Sequence, residues 1–126
     1  MADIIPFGTP NQAGNQGQTR ESGFTPHEFR RLDGLFLRAA SAKAIAERTV
    51  NVTFEQKEAE FGYYKTKNSP AYLTFFIKQV GPQTMMYEVY KDGKGRIAKS
   101  GLFEKAFEKL EDEIHALLPE TTPRNN

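Results

Sequence analysis

Cationic and aromatic side chains interleave through the middle of the chain: Tyr64, Lys65, Lys67, Tyr72, Phe76, Lys78, Tyr90, Lys91, Lys94, Arg96 and Lys99. These are the residue types that hold single-stranded DNA or RNA, whose bases stack on aromatic rings while cations follow the phosphates. Residues 62–101 carry seven Lys and Arg against two Asp and Glu, and seven of the fifteen aromatics. Net charge over the whole chain is only +1, because residues 102–126 reverse the sign with three cations against six anions. The positive charge is therefore a matter of distribution, not of total.

The richest stretch is YEVYKDGKGRIAKSG, residues 87–101. Its glycines and cations resemble a loop that cradles phosphate. Such a loop normally leads into a helix N-terminus, whereas Arg96 to Lys99 read as a strand. Asp92-Gly93-Lys94-Gly95 is better explained as a hairpin turn, in which glycine accepts positive φ.

Catalytic and metal chemistry find less support. The two histidines, His27 and His115, stand at opposite ends, and there is no nucleophile elbow, Walker sequence or HExxH. Glu111 and His115 share a helix face at a spacing of four, but two ligands fall short of a metal site. Glu58 and Glu60 alternate along a strand, as a solvated face would. The expectation is a protein that is not an enzyme and takes no metal or cofactor. With no cysteine there is no disulfide framework and no thiolate nucleophile, which suits a reducing, cytoplasmic setting. No apolar run is long enough to span a membrane, and the start MADIIPFGTP lacks a cationic n-region, so no membrane association is expected.

The elements that must position these residues follow from periodicity. Residues 1–24, rich in Gly, Gln and Asn, are expected to be a flexible tail, with Ile4, Ile5 and Phe7 as either a docking motif or simple packing. Thr25-Pro26-His27-Glu28 is a capping-box start. Phe29, Leu32, Phe36, Ala39 and Ala40 then form an apolar stripe, and the helix is expected to run to about Arg48. Strands follow: one with Val50, Val52 and Phe54 on one face, then residues 59–66, 72–80, 84–91 and a short fifth over 96–99. A closing helix runs over about 102–118, and residues 119–126 form a second tail. Links this short favour an antiparallel meander. The expected class is α+β, one domain over residues 25–118: an N-terminal helix, four to five strands and a C-terminal helix packed on the sheet. In element order alone this resembles small single-strand-binding sheets of the PUR type. It also resembles the double-stranded-RNA-binding domain, whose basic start to the last helix is replaced here by Leu102-Phe103-Glu104-Lys105.

Strand alternation puts Leu73, Phe75 and Ile77 on one face with Met85, Tyr87 and Val89. Tyr72, Thr74, Phe76 and Lys78 fall on the other, with Met86, Glu88 and Tyr90. Two readings of the second face stand side by side. It is an open platform for single-stranded nucleic acid, or it is covered, by the first helix as core or by a protein partner or second copy as an interface.

Overall fold

The computed structural model describes residues 23–119; most of both expected tails, residues 1–22 and 120–126, lies outside the described residues. The elements are α1 (Pro26–Ser41), β1 (Glu47–Thr53), β2 (Glu58–Tyr64), β3 (Leu73–Gly81), β4 (Thr84–Lys91), β5 (Gly95–Ser100) and α2 (Phe103–His115). The strands form one open antiparallel sheet in chain order, β1-β2-β3-β4-β5, and the class is α+β as expected.

The capping box at α1 forms as the sequence predicts. Thr25 N–H donates to Glu28 Oε1 at 3.0 Å, and Glu28 N–H donates to Thr25 Oγ1 at 3.1 Å. The other carboxylate oxygen of Glu28 accepts from Tyr87 Oη at 2.9 Å, so the cap is also a buried tie to β4. Phe24, placed in the tail by composition, is buried, and its ring meets Phe61 and Phe75. Phe24 and Phe29 occupy the positions of a hydrophobic staple, and both pack on Phe61.

α1 ends at Ser41, well short of the expected Arg48. Lys43 adopts φ 63°, and the last turn closes through Lys43 N–H to Ala40 O and Ala44 N–H to Ala39 O, both 2.9 Å. This is a Schellman closure with lysine where glycine is usual. The chain is thereby released early enough for β1 to begin at Glu47, and Arg48 lies in a strand. Its guanidinium sits 5.6–5.8 Å from the ring centroids of Phe29, Phe36 and Phe61. Its Nε lies 2.5 Å from the buried Oδ1 of Asp33, an ionic contact without hydrogen-bond alignment that fastens β1 to α1.

β1 also stops sooner than expected. Phe54 does not share the inner face of Val50 and Val52 but begins a turn, 68% exposed. Gln56 N–H to Thr53 O and Lys57 N–H to Phe54 O close that turn, with Lys57 at φ 55°.

The inner face of the sheet reads across the strands as Val50–Phe61–Phe75–Val89–Ala98, with Val52–Ala59–Ile77–Tyr87–Ser100 beside it. Both helices cover this face. Tyr63 Oη donates to Leu32 O of α1 at 2.8 Å, and burial, with Asp33 nearby, pushes its phenol well up despite Arg48. From α2, Phe103 packs on Phe75 and Tyr87, while Ala106, Phe107, Leu110 and Ile114 are buried. Each such large apolar side chain contributes about 1.5–3 kcal/mol on burial. Arg31–Glu104 at 2.8 Å and Arg38–Glu111 at 3.4 Å link the helices across their outer edges. The described residues thus form two layers, with the core on the helix side of the sheet.

Candidate binding face

Among the described residues, the opposite face carries no helix. Its side chains come in rows fixed by the register. One row is Asn51–Glu60–Phe76–Glu88–Lys99, the next Thr53–Glu58–Lys78–Met86, and on the other side lies Thr49–Gly62–Thr74–Tyr90–Arg96. Alternation along each strand decides this placement: a residue paired with an outer residue is itself outer. The register shift between Val89 and Tyr90 brings Arg96 opposite Tyr90 and leaves Ile97 unpaired, packed towards the core.

Phe76 and Tyr90 make the aromatic centre, edge to face with centroids 5.9 Å apart. Lys78 lies 5.8 Å from the Phe76 ring. Tyr64 lies back along its own strand: a Cβ on Gly62 would come within 3.1 Å of the Tyr64 ring and 3.0 Å of Thr49 Oγ1. Thr49 Oγ1 reaches Tyr64 Oη at 3.3 Å. Glycine at position 62 is what lets that ring lie flat on the sheet.

Glu88 sits beneath this group, 4% exposed. Tyr90 Oη donates to its Oε1 at 2.7 Å, Lys78 Nζ stands 3.7 Å from the same oxygen, and Arg96 Nη1 lies 3.5 Å from Oε2. Burial pushes this carboxyl up. The hydrogen bond from Tyr90 and the charges of Lys78, Arg96 and Lys99 outweigh that and hold it below its usual value. The same hydrogen bond raises the Tyr90 phenol. Glu88 therefore orders the face: it fixes Tyr90 and draws two cations over itself. Alternation with Tyr90 places Glu88 on this face, but nothing in its own strand marks it as a candidate residue. Its burial depends on Lys78 and Arg96, which come from neighbouring strands.

The structure divides the other candidates. Phe76, Lys78, Tyr90, Arg96 and Lys99 share the open face, with Tyr64 at its end. Lys94 is exposed in the β4–β5 turn and Lys67 in the loop after β2. Tyr72, Lys65 and Lys91 do not join them. Lys91 pairs with Leu73, which puts it on the helix side, and its Nζ lies 2.8 Å from Glu113 of α2. That bond raises the lysine and lowers the glutamate. Tyr72 precedes β3 and packs against the core, with Lys65 at 4.1 Å and Lys91 at 5.7 Å from its ring. Strict alternation assigns Tyr72 to the open face. It fails here because Tyr72 lies outside the regular ladder.

The face is electrically divided. Glu58 and Glu60 stand on β2, whereas Lys78, Arg96 and Lys99 stand on β3 and β5. Among the described residues no group of three or more His, Cys, Asp or Glu could hold a metal ion, and no helix is long and apolar enough to cross a membrane. No protein-family model, no curated protein and no solved structure matches this chain.

Proposed function

We propose that this chain is a binding protein that holds single-stranded nucleic acid on the open face of its sheet. The observation that carries the reading is that both helices occupy the other face, so that no helix or strand among the described residues covers Phe76 and Tyr90 beside Lys78, Arg96 and Lys99. Base stacking on sheet aromatics, with cations placed for the backbone, is sequence-tolerant and salt-sensitive. Lys94, in the turn beyond Tyr90, extends the positive side.

The test is a fluorescence-anisotropy titration with single- and double-stranded oligonucleotides at two salt concentrations. Single strands are expected to bind more tightly, with affinity falling steeply as salt rises. Tyr90→Ala should weaken binding while the fold persists. A flat response with both oligonucleotides at low salt refutes the reading. A second reading, a protein partner on the same face, is favoured by the acidic β2 side, since a polyanion gains nothing from Glu58 and Glu60. It predicts no oligonucleotide binding and capture of a partner with a similarly divided surface.

A further inference from the structure

β1 is one edge of the sheet. An edge strand presents unpaired N–H and C=O groups, and proteins usually blunt it with charges, proline or a bulge. The other edge, β5, has such devices: the register shift opposite Val89 and Tyr90, and the cations Arg96 and Lys99. From Thr49 to Thr53, β1 has no proline, no charge and an unbroken register. Moreover, Thr49-Val50-Asn51-Val52-Thr53 reads the same in both directions. An antiparallel copy centred on Asn51 would set Thr49 against Thr53 of the second copy, Val50 against its Val52, and Asn51 against its Asn51. Threonine pairs would then lie on the open face, and valine pairs would extend the inner one.

We propose that two copies of this chain associate through β1, antiparallel and symmetric about Asn51, to form one continuous sheet. The exposed apolar residues beside this edge support that choice. Leu37, 57% exposed, lies one helical turn beyond Asp33, whose carboxylate holds Arg48 of β1, so it projects on the β1 side of α1. Phe54, 68% exposed, follows β1 directly and so stands at the end of the proposed strand pair. These side chains add area that a short strand pair alone lacks. The association is isologous, so it closes at two copies. It stands independently of the nucleic-acid reading, though it would join the two open faces into one surface.

Sedimentation equilibrium of the full chain is expected to show a dimer. Asn51 is exposed, so Asn51→Lys and Asn51→Glu should both keep the fold, as circular dichroism would verify. Each sets like charges across the two-fold axis and should weaken association roughly tenfold or more. Mixing the two variants in equal amounts should restore a heterodimer. A monomeric wild-type chain overturns the proposal. So does a dimer that persists in both variants, which places the contact on another surface. Oligonucleotide binding by the monomeric variants would leave the open-face reading intact, so the two proposals fail separately.

Discussion

Phe75 and Phe76 are neighbours in sequence and point to opposite sides of the sheet, so truncating each in turn tests which face is core. Phe75 is fully buried, with Phe24, Tyr87 and Phe103 rings at 6.4, 6.1 and 5.5 Å. Phe75→Ala removes that packing and leaves a closed cavity, at a cost of about 3–5 kcal/mol. Phe76 is half-buried, and its packing partners on the open face are Tyr90 at 5.9 Å and Lys78 at 5.8 Å. Phe76→Ala opens no closed cavity, since water fills the space. The loss is part of a transfer energy plus one aromatic pair, about 1–1.5 kcal/mol. Against a total stability of roughly 5–15 kcal/mol, the first substitution is severe and the second mild. For a domain of this size the melting points should fall by at least about 15 °C and by roughly 5–10 °C respectively. Urea denaturation followed by far-ultraviolet circular dichroism measures both, and an unchanged m-value shows that the same unit unfolds. Equal costs for the two substitutions would refute the reasoning, because Phe76 would then be covered as Phe75 is.

Two further predictions concern Glu88 and Lys43. The folded Glu88 carboxyl is held below its ordinary value of 4.5, so the stability it contributes is fully present above that pH and is lost as pH falls through the folded value. Glu88→Gln should therefore flatten the acid side of the stability profile. It also removes the anion that draws in Lys78 and Arg96, so oligonucleotide affinity should rise and its salt dependence steepen. Weaker binding by a folded Glu88→Gln chain would show that those cations do not serve phosphate. Lys43→Gly should raise the denaturation midpoint, because φ 63° strains lysine and not glycine; the gain is a few tenths to about 1 kcal/mol after glycine's entropy cost. A fall in the midpoint would mean that the lysine side chain holds the turn.

Where the sequence was informative, the signal was local. Thr25 and Glu28 announced the cap because both halves of the box lie within one turn. The meander followed from short links, and the two faces of β3 and β4 from alternation. The remaining features depend on a local turn that needs no glycine, on tertiary partners, and on residues at the ends of strands. Residues 39–48 are mostly good helix formers, yet the helix ends at Ser41, where Lys43 accepts a left-handed turn without the usual glycine. Arg48 is held by Asp33 and three aromatic rings that no spacing rule brings together. Lys91 and Tyr72 sit at strand ends, where Glu113 of α2 and the core edge, not the face of the strand, provide their contacts. Glu88 shows the limit most clearly. Its position on the face was legible from parity, but its burial comes from side chains on β3 and β5.

The identity of sheet order and chain order has a kinetic consequence. Each strand pairs with its immediate predecessor, so each hairpin closes only a short loop and the sheet can zip up one strand at a time. The helices are different. Arg31 meets Glu104 and Arg38 meets Glu111 across 73 residues of chain, a closure that becomes cheap only when the intervening sheet already holds the ends together. The meander should therefore dominate the folding transition state, with the joining of α1 to α2 coming late. In a chevron analysis, disrupting Arg31–Glu104 would then speed unfolding and leave refolding nearly unchanged. The ion pairs along the outer edges of the helices would then be a late latch on a sheet already assembled, each exposed pair contributing about 0.2–1 kcal/mol that is felt in the unfolding rate more than in the folding rate.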